Sequence, residues 1–288
     1  MVYLSLFTFP NEDMEFNFFM GIKRTCYDSY YPFKILSRQG LEKIVFAPIT
    51  ILYGGNGSGK STALNVIAEK TGISRDSIFN KSNFFTDYVD MCKMDLKVDI
   101  PENSRIITSD DVFDYMLNIR NLNEGIDQKR EKLFEEYLDA KYSNFQMKSI
   151  ADYEQLKKVN IARSTTQSRF VRNKLISNVR EYSNGESAFL YFTEKIGENG
   201  LYLLDEPENS LSPERQLELT RFIEDSARFF GCQFVISTHS PFLLAMRGAK
   251  IYNLDEKPAN TKRWTELKSV RVYYDFFKRH ENDFLKRG

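Results

Sequence analysis

Histidine is nearly absent from this chain, with two among 288 residues, and cysteine is sparse. Cys26, Cys92 and Cys232 lie far apart, with no Cys-x-x-Cys pair. That spacing argues against a disulfide framework and against a zinc site, and it suits a reducing compartment. Net charge is missing too: 40 Lys and Arg balance 40 Asp and Glu, so no global field draws nucleic acid and only a local patch could. No run of 18 apolar residues exists, so no membrane span is expected. The opening MVYLSLFTF has no basic start and is broken by Pro10 and the Asn11-Glu12-Asp13 run. It reads as a first strand rather than a signal peptide, and the cytoplasm is the expected location. Internal repeats and low-complexity segments are also lacking.

What is present is an ordinary globular composition, 42% apolar and 28% charged, enough for one large domain or two small ones. Aromatics are plentiful, with 24 Phe and 16 Tyr. Core packing is the plain reading of that excess, and stacking platforms for bases are the alternative.

The strongest local signal is ITILYGGNGSGKSTALNVIAEK, Ile49 to Lys70. A short β-rich run leads into Gly54, Gly55, Asn56, Gly57, Ser58, Gly59, Lys60, Ser61 and Thr62, and a helical pattern follows. This is G-x-x-x-x-G-K-S between a strand and a helix. Glycines let backbone N–H groups surround a phosphate without Cβ clashes, and the helix N-terminus adds its dipole. Lys60 supplies a point charge to the β- and γ-phosphates, and the Ser61 hydroxyl can bind Mg²⁺. The stretch predicts a nucleoside triphosphate binder without saying which machine it drives.

Further on, LYLLD is an apolar strand ending in Asp205, in the run GLYLLDEPENSLSPERQL. Ligands of open α/β sheets gather at the carboxyl ends of strands, which places Asp205 to hold Mg²⁺ directly or through water. Glu206 follows and can orient or deprotonate an attacking water. Ser212 reads as an N-cap and Pro213 as the first residue of a helix to about Phe229. QFVIS is another buried strand, with His239 just past its end. A lone His is usually a capped or core residue; this one reaches a γ-phosphate if its strand runs parallel to that of Asp205.

The order of these motifs resembles the ATP-binding-cassette ATPases. That resemblance implies that YSNGES is the signature motif, with Ser183, Asn184, Gly185 and Glu186 completing the nucleotide site of a second protomer. It also implies that Asn209 and Ser210 belong to the D-loop crossing the dimer seam, and that His239 is the switch histidine. More narrowly, the chain is similar to small bacterial AAA-family ATPases with an SMC-like cassette core. The shared stretches are ITILYGGNGSGKSTALNVIAE, the GES signature, DEPENSLSPERQL, and STHSPFLLA followed by KIYNLDE. The likeness covers most of residues 35 to 288. The implied fold is α/β: a P-loop cassette with a mostly parallel core sheet, N-terminal antiparallel strands and a helical lobe, as one domain over 1–288 with a helical insertion at about 100–182. The implied substrate is ATP with Mg²⁺.

One departure concerns the loop after the phosphate motif, where the cassette pattern has a Gln. None occurs from Ala63 to Gly125. Ser82 or Asn83, in FNKSNFFTDY, is the expected short stand-in. The segment Pro10 to Lys34 is expected to be a loop near the adenine; core or loop packing is the first reading of Tyr27, Tyr30 and Phe33, and stacking on the base is the alternative. An insertion of about 80 residues, folded back once, reaches roughly 60 Å at most, which suits a compact lobe rather than an SMC coiled coil. Within it, Asp110 to Asp139 holds nine acidic and four basic residues, while Lys157 to Arg180 holds seven basic and no acidic ones. The basic run is either a nucleic-acid surface or a solvated face answering the acidic one. His280, in a tail expected to be helical, is expected in solvent. The stretch after His239 is short for the nuclease domain of overcoming-lysogenization-defect proteins.

The expectation is therefore an ATP-hydrolysing homodimer that drives or switches a protein partner, in a setting such as antiviral defence or a toxin-type operon. The alternative is an SMC-like nucleic-acid-binding ATPase of DNA repair or maintenance. The missing Gln and the GES signature disfavour a transporter subunit.

Overall fold

The computed structural model describes all residues except 24–25, 145–152, 174, 176–183 and 286–288. The described chain divides into two compact units, residues 1–113 with 184–288, and residues 114–183.

The larger unit is built on β1 (Leu4–Thr8), β2 (Lys43–Val45), β3 (Ile49–Tyr53), β4 (Lys93–Leu96), β5 (Arg105–Thr108), β6 (Leu201–Asp205), β7 (Gln233–Ser237), β8 (Lys250–Asn253) and β9 (Asn260–Lys262). Six of these form one sheet in the order β5-β6-β7-β3-β8-β9, parallel except where β9 pairs antiparallel with β8. The other three form an antiparallel sheet, β2-β1-β4. The mostly parallel core sheet and the N-terminal antiparallel strands are thus both present. Every residue of β3 and β7 is buried, as their unbroken apolar runs require of strands covered on both faces.

Gln233 ties the two sheets together. Its Oε1 accepts from the backbone amides of Tyr3 and Leu4 at 2.7 and 2.9 Å, and its Nε2 donates to the Leu4 carbonyl at 2.8 Å. A buried amide is tolerated here because both of its ends are satisfied.

The segment from Pro10 was expected to be a loop, but it opens on a helix, α1 (Glu12–Gly21). Asn11 caps it by accepting from the Met14 amide at 2.9 Å. The segment's aromatics pack in the core, the first of the two readings of Tyr27, Tyr30 and Phe33. Phe33 is buried and stacks on Phe18 at 4.6 Å, Tyr30 stacks on Phe84 at 4.8 Å, and Tyr27 meets Phe84 edge-on. Apolar burial of this kind outweighs a stacking role in solvent.

Helices α2 (Lys60–Thr71) and α3 (Phe85–Met91) follow the phosphate loop. Helix α4 (Ser109–Tyr142) begins in the larger unit and continues into the smaller one. The helical insertion had been expected from about residue 100. Arg105–Thr108 is instead a strand of the core sheet, paired parallel with β6, because Ile106 and Ile107 are buried there. The smaller unit adds α5 (Tyr153–Ser164) and α6 (Gln167–Arg172), and it closes on its own core of Leu133, Tyr137, Val159, Ala162, Phe170 and Val171.

The larger unit resumes with α7 (Asn184–Lys195), α8 (Pro213–Phe229), α9 (Pro241–Leu244), α10 (Lys268–Arg279) and α11 (Glu281–Leu285). Ser212 caps α8 with Pro213 behind it, and Leu219, Ile223 and Ala227 form its buried stripe. His280, in the tail, is half-exposed and lies 3.0 Å from Asp283. Among the described residues, no helix is long and apolar enough to cross a membrane.

Candidate functional site: a phosphate cradle at the carboxyl end of the parallel sheet

Strand register assembles the site. β7 lies between β3 and β6, and Ser237 pairs with Leu52 on one side and with Asp205 on the other. The loop after Tyr53 and the turn after Asp205 therefore emerge at one level, two strands apart. They border a cleft of about 380 Å³ lined by Asn56 to Thr62, Ser109, Asp205 and Glu206.

The loop backbone does what its glycines permit. Gly57 and Gly59 have φ of 81° and 94°, left-handed values that favour glycine. Gly59 occupies the N-cap of α2 and offers no side-chain cap, so the first-turn amides are left for a ligand. The buried Ser58 hydroxyl has no hydrogen-bond partner among the described residues. Asp255, just beyond β8, accepts from the Gly55 amide at 2.8 Å and holds the loop's first turn.

Lys60 is buried, with its ammonium on the carbonyls of Gly54 at 2.7 Å and Gly55 at 3.2 Å and 3.4 Å from Glu206 Oε1. The Ser61 hydroxyl donates to Asp205 Oδ1 at 3.0 Å, and Ser237 donates to the same oxygen. Burial pushes the Asp205 carboxyl above its ordinary range, and the two serine hydrogen bonds pull it back. Glu206 adopts φ 47° and ψ 54°, a left-handed conformation rare for a side chain of this size. Its amide donates to the Ser237 carbonyl at 3.0 Å, and Asn209 Nδ2 donates to its Oε2 at 3.2 Å.

A buried lysine facing a loop of free amides, with a serine and an aspartate joined across two strands, decides the class. The chain has a P-loop α/β fold with a mostly parallel core sheet. A family model described as "AAA domain, putative AbiEii toxin, Type IV TA system" matches residues 169–245. That stretch includes Asp205, Glu206 and His239 but not the phosphate loop. No curated protein matches the chain. Among solved structures, a dimeric ATP-binding cassette in a post-hydrolysis state with ADP and Pi is similar at 15% identity and TM-score 0.37, over 78% of this chain and 90% of that one. The Smc head domain of Pyrococcus furiosus, with an extended coiled coil and bound to the C-terminal domain of ScpA, is similar at 13% identity and TM-score 0.41, over 96% and 100%. A nucleotide-free cassette from a transporter gives 13% identity and TM-score 0.38, over 81% and 87%.

His239 is half-exposed, with Nδ1 3.7 Å from both Glu206 Oε1 and Glu208 Oε1. Ser183 lies outside the described residues. Asn184 opens α7, whose Gly185 backs onto the turn Pro207–Ser210 and whose Glu186 pairs with Arg215 at 3.3 Å. Among the described residues, neither Gly185 nor Glu186 lines the chain's own cleft. Asn209 and Ser210 sit in the turn directly after Glu206. Ser82 and Asn83 do not line the cleft either. The Ser82 hydroxyl donates to the Tyr31 carbonyl at 2.5 Å and accepts from the Phe84 amide, so it closes a local turn.

The cleft fits a nucleotide with one divalent ion. Among the described residues no cluster of three or more His, Cys, Asp or Glu could hold a metal alone. One hydroxyl and one carboxylate, as in Ser61 and Asp205, suit Mg²⁺, which fills its remaining positions with substrate phosphates and water. The sequence reading missed Ser109, Ser237 and Asp255, and it had Glu208 only as the first residue of the D-loop stretch. Ser237, Glu208 and Asp255 are common residues whose partners are remote along the chain, and the local hint for Asp255 was its position in KIYNLDE.

Proposed function

We propose that the chain binds Mg·ATP in the loop Gly54 to Thr62 and hydrolyses it as a nucleotide-dependent head-to-tail homodimer. The observation that carries this reading is the convergence on one cleft of Lys60, Ser61, Asp205 and Glu206, with Lys60 Nζ 3.4 Å from Glu206 Oε1 and Ser61 Oγ 3.0 Å from Asp205 Oδ1. Bound Mg²⁺ would neutralise charge developing on the phosphates. The loop amides and Lys60 hold the β- and γ-phosphates, and the nucleotide displaces the lysine's contacts to its own loop. Ser61 and Asp205 would be the metal's protein ligands. Glu206 orients a water and takes its proton, with Asn209 fixing the second carboxylate oxygen. His239 reaches the same region and senses the γ-phosphate.

The packing of Gly185 against the Ser210 carbonyl, in the turn after Glu206, supports the use of Ser183 to Glu186 in trans by a second copy. Asn209 and Ser210 lie between that helix and Glu206, as a D-loop at the seam would. The match to a toxin-family model supports a switch or motor for a protein partner in a defence or toxin–antitoxin setting. Within Lys157 to Arg180, one cation that the nucleic-acid reading needs is neutralised by an acidic neighbour, and another is held by a carbonyl without losing its charge. Lys158 pairs with Glu136 at 2.8 Å, and Arg163 donates to the Ser143 carbonyl at 2.7 Å.

The test is Glu206→Gln on gel filtration with light scattering. With millimolar Mg·ATP the variant accumulates as a dimer and turns over ATP at least a hundred-fold more slowly. A variant that binds ATP and stays monomeric overturns the dimer mechanism.

A further inference from the structure

The C-terminal helices carry an apolar surface that nothing among the described residues covers. Helix α10 is held at its start: Leu267 and Val270 are buried, and Ser269 bonds the Tyr53 hydroxyl at 2.9 Å. Beyond that anchor every residue from Arg271 to Leu285 is exposed. At 100° per residue, Val272, Tyr273, Tyr274, Phe276 and Phe277 fall on one side of α10, and Arg271, Asp275, Lys278 and Arg279 on the other. Phe277 meets Phe284 of α11 at 6.1 Å, which extends the apolar stripe. Five aromatic rings about half to two-thirds exposed on one arm are unusual for a surface facing only water.

The stripe begins beside the nucleotide loop. Val272 and Tyr273 share a cleft of about 510 Å³ with Gly54, Gly55, Asn56 and His239. That is the face on which the proposed dimer closes. Area points the same way. With 150–250 Å² for each fully exposed aromatic side chain, the five rings leave roughly 500 Å² uncovered. Covering this on both copies removes about 1,000 Å², the lower bound for a specific interface.

We infer that α10 and α11 form an arm that packs its aromatic face on a second copy of this chain in the ATP-bound dimer. The inference rests on the homodimer reading above and names a contact that the nucleotide motifs do not supply. The arm couples closure to the loop directly, because its first turn is bonded to Tyr53, the last residue before the phosphate loop.

The experiment places Phe276→Glu with Phe277→Glu in the Glu206→Gln background and compares the two proteins by light scattering in Mg·ATP. Neither aromatic lines the nucleotide cleft. The arm variant should bind a fluorescent ATP analogue within twofold of its parent and raise the dimer dissociation constant at least tenfold. Amide exchange of residues 271–285 in the parent should slow at least tenfold on adding Mg·ATP, a readout that needs no arm substitution. A parent that dimerises while the arm variant dimerises equally and exchange in the arm is unchanged overturns the arm alone. A parent that stays monomeric overturns the homodimer reading and the arm with it. Co-flotation of the ATP-bound dimer with phosphatidylserine vesicles, lost in the arm variant while dimerisation is intact, would assign the face to a membrane surface and also overturn the inference.

Discussion

The Glu208 carboxylate accepts from the backbone amide of His239 at 3.0 Å, across thirty-one positions of chain. The same Oε1 accepts from the Thr238 hydroxyl at 2.6 Å and the Ser240 amide at 3.2 Å, so one buried oxygen ties the turn after Glu206 to the loop bearing His239. Removing it strands the Thr238 hydroxyl and the His239 amide, while the Ser240 amide keeps the Thr238 hydroxyl oxygen at 3.0 Å. Glu208→Ala should lower stability by about 2–3 kcal/mol, which chemical denaturation measures. Glu208→Gln keeps an acceptor and should lose less than half of that. Both should depress kcat more than ATP affinity, because the loop they disturb carries His239 rather than the phosphate amides. A parallel loss in affinity would separate Glu208 from that role.

Gly59 has no room for a side chain. A Cβ there would lie 2.9 Å from Leu36 Cδ2 and 3.1 Å from Ile35 Cγ2, at a φ of 94°. Gly59→Ala should cost about 1–2 kcal/mol from backbone strain alone, with the contact added to it. ATP affinity, read by isothermal titration, should fall at least tenfold, because the amides at the start of α2 shift with the loop.

Asp205 is held in the nucleotide-free protein as a largely buried carboxylate, with burial pushing its proton affinity up. Asp205→Asn should therefore raise the melting temperature of the nucleotide-free protein. It should also remove most of the Mg²⁺ dependence of ATP binding and slow turnover at least a hundred-fold. A lowered melting temperature would mean that its serine hydrogen bonds outweigh its desolvation.

Glu15 provides a pH dependence away from the site. It is 3% exposed, bonded to the Ser37 hydroxyl and the Lys34 amide at 2.9 Å each, and burial raises its pKa from the ordinary value of 4.5. A carboxyl with a raised folded-state pKa holds its proton more tightly when folded. Its contribution is fullest below the unfolded value and is lost as pH rises through the folded one. The stability of Glu15→Gln relative to the parent should rise with pH from about 4.5 and then level off, in melts at successive pH values.

The basic run offers a direct check on nucleic acid. At about 50 mM salt, where phosphate contacts are strong, the intact protein should give no measurable shift with duplex DNA or single-stranded RNA. Binding that weakens steeply with salt, and is lost in Arg169→Glu with Arg172→Glu, would revive the second reading.

Some of this was legible without a structure. The phosphate loop, the strand ending at Asp205, the capped helix at Pro213 and the strand before His239 depend on residues within a few positions of one another. Their geometry follows from local rules of glycine, capping and strand burial. Partners were not legible. Ser237 beside Asp205, Asp255 on the Gly55 amide and Gln233 across two sheets depend on which strands become neighbours. The segment from Pro10 forms a helix where a loop was expected, while its aromatics pack in the core as that reading had it, on Phe84 some fifty residues away.

Chemistry was therefore written locally, in the order Lys60, Ser61, Asp205, Glu206 and His239. Tertiary structure decided their distances, the start of the helical unit past Thr108, and the exposure of the aromatic face of α10. The physical reason is that a motif needs only the backbone around it, whereas a contact needs the register of β3, β6 and β7, which the whole core sets at once.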